Sequence, residues 1–143
     1  MRALGLDIGT KTIGLAVADE LGFTAQGLDT IRRTSTKNDI AAVKRVVDEY
    51  LVTVLVLGLP LNMDGTEGSR AEACRKFGTY LHDTLKIEVE YQDERLTTVA
   101  AHRMLIDGDV SREKRREVVD QIAASLILQG WLDARAPRPS TDD

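Results

Sequence analysis

The sequence predicts an α/β fold, a mixed five-stranded sheet with helices on both faces. Three observations carry this. Two runs alternate with the period of strands, ALGLDIG from Ala3 and TIGLAVAD from Thr12, and only a short Gly/Thr/Lys link separates them, so they read as a hairpin. The run VLVLGLP shows no alternation at all, the mark of a strand buried on both faces. Helix-period segments flank it, and a meander followed by alternating strand and helix units builds a mixed sheet.

The remaining elements follow in order. GLDTIRR from Gly27 is a third strand. NDIAAVKRVVDEYL changes to helical spacing, with Ile40, Val43, Val46, Val47 and Tyr50 on one side and Asn38 as the expected N-cap. Pro60 ends the VLVLGLP strand, because proline has no N–H for a central ladder. LNMDGTEG is a polar glycine-rich loop, a helix is expected from about Ser69 to Leu85, and IEVEYQDE alternates as the fifth strand. A helix near Thr97 to Ile106, the polar and basic segment DGDVSREKRRE, and a last helix from Val118 to about Ala134 complete the order. No repeat or linker divides the chain, so one domain is expected over 1–136, with the tail 137–143 disordered.

A chain of 143 residues is long enough to bury a proper core as one domain. No apolar run approaches the ~20 residues that span a bilayer, and no signal-peptide pattern opens the sequence, so no membrane partner is expected. The single cysteine, Cys74, excludes an intramolecular disulfide and a multi-cysteine zinc site, and a reduced, cytoplasmic protein is the simplest reading. A net charge of −4 argues against a protein that coats DNA, though not against an enzyme whose carboxylates hold divalent cations. Positive charge gathers at Arg32, Arg33 and Lys37 and again at Arg112, Lys114, Arg115 and Arg116; solvated surface is the plain reading of both. Aromatics at 4% are too few for an extended base-stacking platform.

Three acids stand where the local pattern calls for apolar residues. Asp7 shares a strand face with Ala3 and Gly5, whose small size leaves space around its carboxylate. It is either compensated by a cation or donors, or a strand-end aspartate bonded to the following turn. Glu94 closes the fifth strand, at the edge where ligands gather in open α/β sheets; alternatively it is a first-turn acid of the next helix, beside Asp93 and Arg95. Asp120 shares the helical stripe of Ala123, Ala124, Ile127 and Trp131, so it is either a first-turn residue leaving the core or an acid projecting into a cleft. Three carboxylates without a histidine or thiol partner form a hard oxygen set suited to Mg²⁺ or Mn²⁺. Two such ions about 4 Å apart clamp a phosphodiester for hydrolysis.

LGLDIGTKTIGLAVAD, VLGLPLNMDGTEGSRA, YQDERLTT and VVDQIAASLILQGWL appear in the order of the YqgF (RuvX) family, which the chain resembles over nearly its whole length. The resemblance implies an RNase H-like fold and a nuclease that matures the 5′ end of pre-16S ribosomal RNA. It makes Asp7, Glu94 and Asp120 the metal-binding catalytic acids, with two divalent cations. It places Lys11 at a basic position that touches substrate phosphate, and puts Gly58 in the family's second block, where a backbone or substrate approaches closely. Family members often carry arginine where Thr12 stands, so either the phosphate grip is weaker or Arg95 or the Arg112–Arg116 segment, read as a mobile clamp, compensates. Structured RNA is the expected partner, with branched DNA such as a Holliday junction as the alternative; monomer and homodimer both stay open.

Two other classes compete. LGLDIGTK also resembles the first phosphate loop of the sugar-kinase, actin and Hsp70 superfamily, but this chain supplies one half of that clamp and no second loop of the type. A non-catalytic module binding nucleic acid or transcription machinery is the other, since fold alone proves no chemistry. His82 and His102 lack ligand-spaced partners, Cys74 reads as a small core residue, and Ser69 and Ser111 read as caps or loop residues. Asp107–Gly108–Asp109 lacks the other positions of a calcium loop.

Overall fold

The structure is a computed structural model that describes residues 2–94 and 112–135, the second stretch with side chains at 119 and from 121 onward. Strand β1 spans Ala3–Ile8, β2 Thr12–Ala18 and β3 Ala25–Arg32; helix α1 is Thr36–Tyr50, β4 Val54–Leu59, α2 Ser69–Leu85, β5 Glu88–Asp93 and α3 Arg112–Arg135. One sheet of five strands runs in the order β3-β2-β1-β4-β5. The hairpin strands β1, β2 and β3 pair antiparallel, whereas β1, β4 and β5 pair parallel. The mixed sheet expected from sequence is therefore present.

Strand alternation sorts the core into two layers. Leu4, Leu6, Leu55 and Leu57 face α1 and α2, whose Ile40, Val43, Cys74, Phe77 and Leu81 complete that layer. Ala3, Ala16, Ala18, Val54 and Val56 face α3, which brings Ala124, Ile127, Leu128 and Trp131. The second face is built of small residues because α3 lies very close to it. A Cβ on Gly5 would stand 2.8 Å from the Leu128 Cβ, so the helix seats on bare backbone there.

Polar side chains of α3 fix its course. Gln121 Nε2 donates to Leu28 O at 2.9 Å, and Gln129 Oε1 accepts from Ala25 N at 3.0 Å, both on edge strand β3. Across the sheet, Arg135 pairs with Glu90 of β5 and its guanidinium stacks 4.1 Å from the Trp131 ring. Trp131 and Arg135 thus meet the early part of β5, while Ile127 packs over Gly58 late in β4. The helix consequently runs against the parallel strands, with its earlier turns toward their carboxyl-terminal edge.

Several local expectations are corrected. The N-cap of α1 is Ser35, not Asn38: Ser35 Oγ accepts from Asn38 N at 3.1 Å, three residues into the helix. Ser69 is the first helical residue of α2 rather than its cap, a position Gly68 fills without a side-chain bond. The last helix begins at Arg112, six residues before the expected Val118. Arg112–Arg116 is therefore helical backbone rather than loop. Glu, Lys and Arg are good helix formers, but basic residues in a first turn oppose the helix dipole, which is why the pattern read as loop. The expected helix near Thr97 to Ile106, Arg95, His102, Ser111 and Asp107–Asp109 lie outside the described residues, as do residue 136 and the expected tail 137–143. Among the described residues no helix is long and apolar enough to cross a membrane.

Candidate metal-binding and active site

The parallel arrangement of β1, β4 and β5 brings three chain segments together at one edge. Leu6 pairs with Leu57, so Asp7 follows beside Gly58; Gly58 in turn pairs with Gln92, and Leu59 with Asp93. On the other side Asp7 pairs with Gly14 of β2. Asp7 lies on the α3 face with glycine on both neighbouring strands, a notch made by absent side chains. Glu94, just past β5 and held by Glu94 N donating to Leu59 O at 3.3 Å, turns its carboxyl into this notch. A Cβ on Gly58 would stand 2.5 Å from Glu94 Oε2. The space over Gly58 thus belongs to the Glu94 carboxyl and the Ile127 side chain.

The electrostatics of the pair are unfavourable without a cation. Burial pushes the Glu94 carboxyl up to about 8, helped by the Asp7 charge, by a hydrogen bond with Asp7 and by Asp93, while Arg70 pulls the other way. Two carboxyls at hydrogen-bond distance must share a proton or a positive ion. Glu94 Oε2 is buried without a hydrogen-bond partner among the described residues, and such an atom normally has one. An orphaned carboxylate oxygen beside a second carboxyl fits a hard divalent cation, which would replace the proton and satisfy the oxygen.

The nearby thiol takes no part. Cys74 is pushed up to about 12 by burial and by the charges of Glu94 and Asp7, and its Sγ donates to Gly58 O at 3.4 Å. It stays protonated and serves as a small core residue. His82 is tied to the chain just past its own helix, its Nδ1 lying 2.8 Å from Ile87 O.

A family model described as "RuvX: Holliday junction resolvase" matches residues 1–134. The chain belongs to the RuvX family. A RuvX relative in Myxococcus xanthus is 63% identical over 142 residues, 99% of this chain and 93% of its own, and carries the name "Putative pre-16S rRNA nuclease". A Clostridium beijerinckii protein of the same name is 55% identical over 133 residues, 93% of this chain and 96% of its own. Among solved structures, Thermus thermophilus RuvC in complex with a Holliday junction substrate superposes with a TM-score of 0.58 at 15% identity, covering 94% of this chain and 95% of that one. The Fowlpox virus resolvase with Holliday junction DNA gives 0.55 at 14% identity, over 96% and 100%. The RuvX chain therefore has the RNase H-like fold of these resolvases.

Of the residues expected to form the RuvX site, the structure brings Asp7, Gly58 and Glu94 together. Asp120 lies well inside α3, more than two turns from its start, which removes the first-turn alternative. It is two turns before Ile127 on the stripe that includes buried Ala123, Ala124 and Ile127, on the part of the helix nearer the Asp7 edge. Its side chain lies outside the described residues. Among the described residues no group of three acids, histidines or thiols forms a ligand set. Lys11 is exposed in the β1–β2 turn, and its carbonyl accepts from Arg33 N at 2.8 Å.

Two contributors were missed in the sequence. Arg70 opens α2 and its charge reaches Glu94. Arg33, read as solvated, is a tie: Nη1 donates to Gly9 O at 2.7 Å and Nε to Asp39 Oδ2 at 3.0 Å, with Asp39 itself 2% exposed. This anchors the turn that follows Asp7. A helix-start aspartate six residues after an arginine is too ordinary a pattern to reveal it.

Proposed function

We propose that this RuvX protein is a divalent-metal-dependent nuclease that hydrolyses phosphodiester bonds, and that it processes the 5′ end of pre-16S ribosomal RNA in the cytoplasm. The observation that carries the reading is the Asp7–Glu94 pair over Gly58, with a buried carboxylate oxygen that lacks a partner among the described residues. The RNA substrate is supported by the name shared by the relatives.

In this reading Asp7, Glu94 and Asp120 hold two Mg²⁺ or Mn²⁺ ions. Bound there, the ions would activate the attacking water and stabilise the leaving oxygen. Asp7, between Gly14 and the Gly58 position with the Glu94 carboxyl beside it, would be a ligand of the metal. Glu94, deprotonated, would hold the cation beside Asp7, and α3 carries the third acid. Lys11 and Arg95 hold substrate phosphate. Arg70 holds the Glu94 charge in balance.

A Holliday junction or other branched DNA is the second reading, favoured by the family description. Cleavage of a pre-16S RNA fragment and of a four-way DNA junction, side by side in Mg²⁺ and in Mn²⁺, separates the two. Wild type should cut the RNA, and Asp7→Asn and Asp120→Asn should each lose the activity by more than about 100-fold. Equal rates in wild type and Asp7→Asn would remove the mechanism; cleavage of the junction alone would select the second reading.

A further inference from the structure

On the opposite face of the sheet from the carboxylate pair, a cavity of about 330 Å³ opens between α2, the start of α1 and the Gly9–Thr10 turn. One face of α2 supplies Arg70, Cys74, Phe77 and Tyr80, spaced as successive turns, with Lys76 at the flank. Arg33 lines the other side, its guanidinium 5.2 Å from the Phe77 ring. The volume lies at the lower end of small-molecule sites, enough for one nucleotide unit and too little for a duplex.

The charge of this cavity is out of proportion to the protein. The chain carries a net −4, yet among the described residues three cations and no carboxylate line the space. Arg33 is partly neutralised by Asp39 behind it. Arg70 and Lys76 are exposed and form no hydrogen bond or ion pair with the described residues, although Arg70 feels Glu94 at longer range. Tyr80 is 43% exposed, an aromatic ring left at the rim of a cationic space. Cations beside a free ring form the combination that takes a backbone phosphate and a stacked base.

Position ties the cavity to the carboxylates. Its wall at Ile8, Gly9 and Thr10 follows directly on Asp7, and Arg70 both lines it and acts on Glu94. From this geometry we propose that the cavity is a subsite for one nucleotide of a single-stranded segment flanking the scissile phosphate. Arg70 and Lys76 hold its phosphate and Tyr80 stacks its base. The strand then crosses the sheet edge from the α3 face to the α2 face. The placement rests on the nuclease reading, but the binding does not require cleavage.

The test is binding without turnover. A labelled single-stranded 12-mer RNA, the same sequence as DNA, and a blunt duplex are titrated in EDTA by fluorescence anisotropy across a salt series. Wild type should bind both single strands more tightly than the duplex. Arg70→Gln and Lys76→Gln should each weaken single-strand binding several-fold and lower the slope of log affinity against log salt by about 0.7, one phosphate's share on a single strand. Tyr80→Ala should weaken it about tenfold and leave the slope unchanged. Lys44→Gln, on α1 and paired with Asp48, should behave as wild type. Wild-type affinity and slope in both Arg70→Gln and Lys76→Gln would overturn the subsite, as would duplex binding in preference to single strands. Binding that follows this pattern in a protein that cuts neither substrate would leave the subsite standing and sink the nuclease reading. Cleavage with unchanged slopes would do the reverse.

Discussion

A Cβ added to Gly58 falls 2.5 Å from Glu94 Oε2, so Glu94 reaches the Asp7 notch only because residue 58 has no side chain. Neither residue makes the site alone. The glycine of a central strand and the acid past its neighbour are one unit, and β4–β5 pairing sets them side by side.

Gly58→Ala follows directly. The added methyl meets both the Glu94 carboxyl and the tip of the Ile127 side chain, so both must move and Glu94 is displaced from its place over residue 58. Overpacking of this kind costs about 1–3 kcal/mol, read as a lowered urea midpoint with unchanged slope. Cleavage should fall by more than tenfold, because a displaced carboxylate no longer faces Asp7. A fully active Gly58→Ala protein would show that Glu94 does not work from this position.

The raised Glu94 carboxyl makes a pH prediction whose sign is set. Its ordinary value is 4.5 and its value in the fold about 8. Between these, the folded protein holds a proton that the unfolded chain has released, so metal-free stability is fully present below about pH 4.5 and declines as pH rises through 8. In EDTA the wild-type melting temperature should fall across this window by about 3–6 °C more than that of Asp7→Asn, where one cause of the shift is gone. Mn²⁺ should restore the difference at pH 8 far better than at pH 6, since it must displace the proton. Parallel melting curves for the two proteins at every pH would contradict the coupling.

Asp39 should matter more for stability than an exposed helix-start acid does. It is 2% exposed, receives Arg33 Nε at 3.0 Å and also accepts from Thr34 N at 3.1 Å. Asp39→Ala leaves a half-buried guanidinium and a backbone N–H without this acceptor. Because Arg33 is 24% exposed and keeps some hydration, the expected loss is about 1–3 kcal/mol, below that of a fully buried pair. Chemical denaturation measures it, and the turn at Gly9 should exchange its amide hydrogens faster in the variant.

One substitution should stabilise. Leu51 ends α1 with φ 55°, in the left-handed region, and its side chain is 79% exposed. Leu51→Gly removes the steric cost of that conformation and gives up little packing. A gain of up to about 1 kcal/mol is expected, partly offset by the freer unfolded chain. A lowered midpoint would mean that Leu51 packs in a way its exposure does not reflect.

The elements were largely legible because their signals are local. VLVLGLP is buried at every strand position, Ser69–Leu85 has the expected bounds, and Ile40 and Val43 face the core. The errors are local competitions as well. Ser35 and Asn38 both suit an N-cap, and only the backbone geometry chose Ser35. Basic residues at 112–116 disguised the first turns of α3.

The site was legible as three misplaced acids, not as an arrangement. Asp7 stood out because an acid interrupts an apolar strand face, and Glu94 because it closes a strand. Arg70 and the Arg33–Asp39 tie gave no such signal, since their partners are distant in sequence or ordinary in pattern. By itself the sequence determined which faces are apolar, where most elements run, and which family the chain joins, because periodicity and motif order are properties of neighbouring residues. Only the tertiary structure decided that β1, β4 and β5 end side by side, that Gly58 leaves room for Glu94 against Asp7, and that cations gather on the far face. Strand order and register arise from packing between distant segments, and no local pattern encodes them.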